Sequence, residues 1–153
     1  MSEKQKVLRV YLDNCAYNRP YDDQTQMRIN LETQAKLHIQ ELIRDGQIEL
    51  VTSYVLDYEN GQNRFEMQRT AIKQFMNENS SIHVTAENNA DVKSKALEIM
   101  KTGVKEKDAL HVACAKKADC DYFISTDDRL LKYQDDNMQL VTPEEFIRRM
   151  EAD

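Results

Sequence analysis

Glycine and proline are scarce, with 3 Gly and 2 Pro in 153 residues. That scarcity excludes collagen-like repeats, low-complexity tracts and long linkers. Cysteine is also sparse. Cys15, Cys114 and Cys120 form no C-x-x-C pair, so neither a disulfide framework nor a zinc ribbon is expected, and a reducing, cytoplasmic setting fits. Long apolar runs are missing. The stretch after the polar segment Met1–Lys6 is interrupted by Arg9 and stopped by Asp13, so no signal peptide or membrane span is read there or elsewhere. Positive charge is in deficit, with 21 Lys and Arg against 27 Asp and Glu for a net −6. This excludes a basic nucleic-acid sleeve and a polybasic membrane anchor, but not a local basic rim around an acidic site. The length suits one domain, residues 1–153, able to bury about two-thirds of its unfolded surface.

What is present is an alternation of strands and helices. Val7–Leu12 is apolar at nearly every position, as in a strand covered on both faces, and it stops at Asp13. Asn18-Arg19-Pro20 predicts a turn or extended loop. Met27, Leu31, Ala35, Ile39 and Leu42 recur at helical spacing within a helix over 25–44, closed by Gly46. Residues 48–52 read as a strand and Ser53 as the cap of a helix reaching Asn60. A helix over 64–77, with Phe65, Ala71 or Ile72, and Phe75 or Met76 on one side, leads to a strand at 82–85. Helices over 87–101 and 105–118 precede a strand at 122–125. A short helix over 127–133, a strand at 139–141 and a helix opened by the capping box Thr142-Pro143-Glu144-Glu145 complete the chain. The pattern predicts an α/β sandwich, three layers around a mainly parallel sheet. In such sheets ligands bind beyond the carboxyl ends of the strands.

Four acids fall where that edge should be. Asp13 ends the first strand. Asp127 follows the strand 122–125, and Ser125-x-x-Asp128 there resembles a capping box that would leave Asp127 free. Glu59 projects between Val55 and Leu56 on a helical wheel, while Asp57 points the other way, toward water. Asp108 opens a helix whose next seven residues are polar only at His111, which on its own reads as a hydrogen-bonded core histidine. Asp13, Asp108 and Asp127 have ordinary readings as turn, cap or dipole residues, and Glu59 as a salt-bridged or partly exposed rim position. Together, four carboxylates in one pocket repel unless a divalent cation intervenes, and oxygen-only ligation suits Mg²⁺ or Mn²⁺. With His38, His83 and His111 scattered, no zinc site is visible.

These motifs carry a resemblance. Val10-Tyr11-Leu12-Asp13-Asn14, Asn18-Arg19-Pro20, Val55-Leu56-Asp57-Tyr58-Glu59, Lys107-Asp108-Ala109-Leu110-His111-Val112-Ala113 and Tyr122-Phe123-Ile124-Ser125-Thr126-Asp127-Asp128 follow in the order and spacing of a PIN-domain protein. The chain resembles the VapC-like toxin ribonuclease branch over nearly its whole length. The resemblance implies an endoribonuclease that cuts single-stranded RNA with Mg²⁺ or Mn²⁺ held by Asp13, Glu59, Asp108 and Asp127. It implies supporting roles for Asn14, Ser125 and Asp128. Asn14 departs from the Thr or Ser common at its position. An antitoxin protein partner and a homodimer are implied as well. Around the acids, Arg19, Arg28 and Arg129 are the first candidates to meet RNA phosphates, with Lys105 and Lys107 nearby. The competing readings are a catalytically silent PIN-fold binding module and, ranked last, a phosphotransfer domain with Asp13 as nucleophile. The latter wants a second acid two residues on, where Cys15 stands.

Overall fold

The structure, a computed structural model, describes residues 7–152. The segment Met1–Lys6, read above as free of a signal sequence, lies outside the described residues. Five strands, β1 (Arg9–Leu12), β2 (Glu49–Ser53), β3 (Ser80–Val84), β4 (Tyr122–Ile124) and β5 (Gln139–Val141), form one sheet in the order β3-β2-β1-β4-β5. Every pairing is parallel. Among the described residues seven α-helices flank it. They are α1 (Asn14–Asn18), α2 (Met27–Arg44), α3 (Tyr54–Gly61), α4 (Glu66–Asn79), α5 (Asn89–Met100), α6 (Glu106–Lys117) and α7 (Pro143–Glu151). The α/β sandwich expected from the sequence is the one observed. No helix of the described residues is long and apolar enough to cross a membrane.

The central strand explains its own sequence. Val10, Tyr11 and Leu12 are all fully buried, as a strand covered on both faces must be. Tyr11 stacks on its register partner Phe123, with ring centroids 5.2 Å apart, and its hydroxyl reaches His111 of α6 on that face. On the opposite face Phe146 of α7 packs edge-on to Tyr122. Helices α5 and α6 pack together, as do α2 and α7, which gives the three layers.

Caps behave largely as the sequence predicts. Ser53 Oγ accepts from Leu56 N at 3.1 Å, and Thr142 Oγ1 from Glu145 N at 3.1 Å. Only half of the expected capping box forms at α7, because the Glu145 carboxylate turns to Arg148 and Arg149. Gly46, at φ +74°, closes α2 in the left-handed conformation that favours glycine.

Four local expectations need correction. The predicted loop at Asn18-Arg19-Pro20 is helical. Asp13 caps α1, and Pro20 sits early in a 3₁₀ turn (Arg19–Tyr21), where its missing N–H costs nothing. Helix α2 buries only the later part of the expected face. Ile39 is fully buried and Leu42 packs on the core, but Met27 is 79% exposed and Leu31 52%, and Glu32, Thr33, Lys36, Gln40 and Ile43 turn inward. Glu32 is admitted because Arg19 and Arg28 lie 3.2 and 3.6 Å away. In α4, Phe65 is an exposed N-terminal residue, and Ile72, Phe75 and Met76 alone hold the inner face. The short helix expected at 127–133 shrinks to a 3₁₀ turn, Leu130–Lys132.

Candidate active site

Register fixes the centre of the site. Leu12 pairs with Ile124, so the chain leaves β1 and β4 side by side, and Asp13 N donates to Ile124 O at 3.2 Å. Asp13 and the Ser125–Asp127 turn therefore meet beyond the carboxyl edge of adjacent central strands. Helix α3, leaving β2, carries Glu59, and the first turn of α6 carries Asp108. Asp13, Glu59, Asp108 and Asp127 all line one open cavity of about 630 Å³, together with Asn14, Arg19, Lys107 and His111. The structure thus brings together the four acids singled out in the sequence.

Asp13 is 4% exposed. Its Oδ1 accepts from Ala16 N and from Cys15 Sγ, each at 3.0 Å. Burial raises its pKa, and Cys15, the nearby Ser125 hydroxyl and the Ala16 amide oppose the rise. The neighbouring Cys15 thiol is pushed up to about 12, first by burial and then by the Asp13 charge, which makes it a donor rather than a nucleophile. Ser125 Oγ accepts from Asp127 N at 3.0 Å, so one hydroxyl neighbours two of the acids.

Asp127, not Asp128, does the local capping. Its Oδ1 accepts from Arg129 N at 2.9 Å and from Leu130 N at 3.4 Å. Asp128 instead turns outward and takes a two-pronged pair from Arg28, at 2.8 and 2.5 Å. Asp108 sits half-buried in the first turn of α6. Its pKa is raised, first by burial and then by the charges of Asp127 and Asp13, with a smaller push from Glu59. That upward shift is the electrostatic signature of carboxylate crowding.

Glu59 is held by a buried chain that sequence reading missed. His111 Nε2 hydrogen-bonds Glu59 Oε1, His111 Nδ1 lies 2.6 Å from Tyr11 Oη, and Tyr11 Oη lies 2.7 Å from Ser53 Oγ. One set of directions satisfies every group. Leu56 N–H donates to Ser53, Ser53 to Tyr11, Tyr11 to His111 Nδ1, and the Nε2–H to Glu59. Burial alone would lift the Glu59 carboxyl. The His111 hydrogen bond, with help from Lys107 and Asn14, overcomes this and holds it below its usual range. The core-histidine reading of His111 is correct as far as it goes, since it is 2% exposed. Its partners come from β1, β2 and α3, and no local signal could announce them. Asp57, expected to face water, pairs with Lys73 at 2.9 Å.

The arginines divide. Arg19 lines the cavity but is committed to Asp22 at 3.0 Å and Glu32 at 3.2 Å, and Arg28 is committed to Asp128. Arg129 has no side-chain ion pair among the described residues. It lines a smaller cavity of about 130 Å³ that Asp108 also borders, with Lys105 and Lys132.

The donor set fits a hard divalent cation in kind. Three aspartates and a glutamate offer oxygen, and the one nearby imidazole has both nitrogens engaged. Among the described residues, no group of three or more His, Cys, Asp or Glu side chains stands arranged to hold a metal ion. Ligation by three of these acids would require them to draw inward.

No family model matches the chain, and no curated protein matches it in sequence. Solved structures do match in shape. The chain is similar to VapBC2 from Rickettsia felis bound to a DNA fragment from their promoter, at 12% identity and a TM-score of 0.52, covering 87% of this chain and 97% of that one. It is similar to FitAcB from Neisseria gonorrhoeae at 13% identity and a TM-score of 0.52, covering 88% and 98%. It is also similar to FitAB bound to the IR36 DNA fragment, at 15% identity and a TM-score of 0.51, covering 88% and 94%. Identities this low speak to fold alone, and the fold is PIN-like.

Proposed function

We propose that the protein is a Mg²⁺- or Mn²⁺-dependent endoribonuclease that hydrolyses single-stranded RNA. The observation that carries this reading is the meeting of Asp13, Glu59, Asp108 and Asp127 in one cavity at the carboxyl edge of β1 and β4. Asp13, Asp108 and Asp127 would hold the cation, and Glu59 would ligate at its edge or orient the attacking water. Bound there, the cation lowers the pKa of water and offsets charge on the phosphoryl oxygens. The chain's own part is positional. Ser125 supports Asp13 and Asp127, and His111 fixes Glu59. Asn14, next to Asp13 in the chain, helps hold the Glu59 carboxylate in its charged form.

Phosphates need cations beside this anionic pocket. Arg19 and Arg28 are already paired, so Lys105, Lys107, Arg129 and Lys132 on the Asp108 side, without an ion pair among the described residues, are the better guides for the strand. Four contacts at most, on a single strand, predict log K against log salt no steeper than about −3. A slope near −7 or beyond would mean a larger basic surface than this one.

The fold likeness to proteins solved as VapBC and FitAB complexes supports a toxin role and an antitoxin protein partner, and a homodimer and a cytoplasmic setting are part of the same proposal. The three free cysteines agree with the last. The test is cleavage of a panel of single-stranded RNAs with Mn²⁺ and with chelator. Metal-dependent cutting is expected, and cutting that persists in chelator contradicts the mechanism. The open spacing of the acids favours one second reading, a PIN-fold binding module without catalysis, and there a folded protein would leave every RNA intact.

A further inference from the structure

A second cavity, of about 250 Å³, lies between α1, α2 and α4. Its walls include Tyr17, Lys36, Gln40, Arg44 and Phe75. Lys36 is only 5% exposed, yet among the described residues its ammonium has no hydrogen bond and no ion pair. It lies over two ring faces, 5.5 Å from the Tyr17 centroid and 5.9 Å from that of Phe75, both walls of the cavity. Arg44, exposed at the rim, places its guanidinium 5.3 Å from the Phe75 centroid and has no ion pair among the described residues. Among the described residues no Asp or Glu lines this cavity, in a chain with six more acids than bases, and Tyr17 Oη and Gln40 Oε1 are buried without partners.

A buried cation is normally paired, and ring faces replace only part of its lost hydration. One buried unpaired cation with an exposed one beside it, and two unpartnered polar groups in the walls, describe a site whose counter-ion comes from outside. Two positive charges match a dianion better than a carboxylate, and a phosphate monoester carries about −1.5 to −2. The Tyr17 hydroxyl and the Gln40 amide, turned over, add neutral donors. We propose that this cavity binds a tetrahedral oxyanion, inorganic phosphate or a terminal phosphate monoester, between Lys36 and Arg44. Burial, and then the Arg44 charge, hold the Lys36 pKa down to about 8, a depression that a bound anion would relieve. Tyr21 borders this cavity and the acidic one alike, so the phosphate on the end of a strand is one source and free phosphate the other. The site stands whether or not the acidic cavity cuts RNA.

Lysine acetylation of the intact protein at pH 8, read at Lys36 by mass spectrometry, tests this. Inorganic phosphate at ten times its dissociation constant should slow acetylation of Lys36 about tenfold at constant ionic strength. Arg44→Met should weaken that protection. A short oligoribonucleotide with a terminal phosphate protecting, where its unphosphorylated twin does not, identifies a strand end as a source. Protection by inorganic phosphate alone identifies the free anion. Lys36→Met keeps length and shape while removing an unpaired charge. It should fold, and phosphate should raise its melting temperature less than that of the wild type, which separates binding from the general salting effect. A Lys36 acetylation rate unchanged by phosphate and by both oligonucleotides overturns the proposal.

Discussion

Asp108→Asn should give a protein that is more stable and inactive. Burial and the charges of Asp127, Asp13 and Glu59 raise the Asp108 pKa, so the folded state holds that proton more tightly than the unfolded chain does. The linked stability is fully present below the ordinary aspartate range near 3.8 and is lost as pH rises through the raised value. At neutral pH in metal-free buffer the wild type therefore carries a penalty that asparagine removes. The melting temperature should rise by roughly 2–4 °C for each kcal/mol relieved in a chain of this size. Mn²⁺ should reverse the order, stabilising the wild type and leaving the variant unmoved. Metal-dependent RNA cleavage should fall roughly a thousandfold, about 4 kcal/mol of transition-state stabilisation. Thermal melts across pH, with and without Mn²⁺, check the first part and single-turnover cleavage the second. A variant that melts lower than wild type without metal would show that Asp108 is not crowded.

His111→Leu should be among the most damaging single changes. It leaves the Glu59 carboxylate without its imidazole and the Tyr11 hydroxyl, at the centre of the core, without an acceptor. Breaking such a buried pair costs about 3–5 kcal/mol, so the melting temperature should drop by about 10 °C or more. Tyr11→Phe should cost about 1–3 kcal/mol, since it strands both His111 Nδ1 and the Ser53 hydroxyl. Glu59→Gln separates holding from chemistry. A neutral amide oxygen still accepts from Nε2–H, so the fold should survive while cleavage falls. The depressed Glu59 pKa also gives stability that is present above the ordinary glutamate range and lost as pH falls through the lowered value, a dependence absent from Glu59→Gln. Urea denaturation of the three variants at pH 7 and pH 4 reads all of this. Costs below about 0.5 kcal/mol for both His111→Leu and Tyr11→Phe would mean that the chain of hydrogen bonds holds nothing.

The alternation of strands and helices, the parallel sheet and the four acids were legible because they depend on local signals. An apolar run ending in Asp13 is a buried strand with an acid at its carboxyl end, whichever neighbours it has. The inward face over the early turns of α2 was not legible, because its buried residues there are polar. Glu32 and Lys36 turn inward only where Arg19, Arg28 and the rings of Tyr17 and Phe75 await them, and those partners come from α1, the turn after it, the first turn of α2 and the distant α4. A helical period announces a helix, and hydrophobicity alone chose the side bearing Met27 and Leu31, which faces outward. The exchange of roles between Asp127 and Asp128 has the same origin. Either could cap the turn, and Arg28, 100 residues earlier, draws Asp128 away. His111 looked like a core histidine and is one, but its hold on Glu59 depends on how α3 and α6 lie together.

The metal is the point on which the functional reading stands most exposed, because the acids share a cavity without standing in a closed cage. The most direct measurement is a calorimetric titration of Mn²⁺ into the folded, metal-free wild type and into Asp108→Asn. Saturable binding to the wild type that is lost or much weakened in the variant is the predicted result. A well-folded wild type that takes up no Mn²⁺ or Mg²⁺, alone or with single-stranded RNA present, would contradict a metal-dependent nuclease.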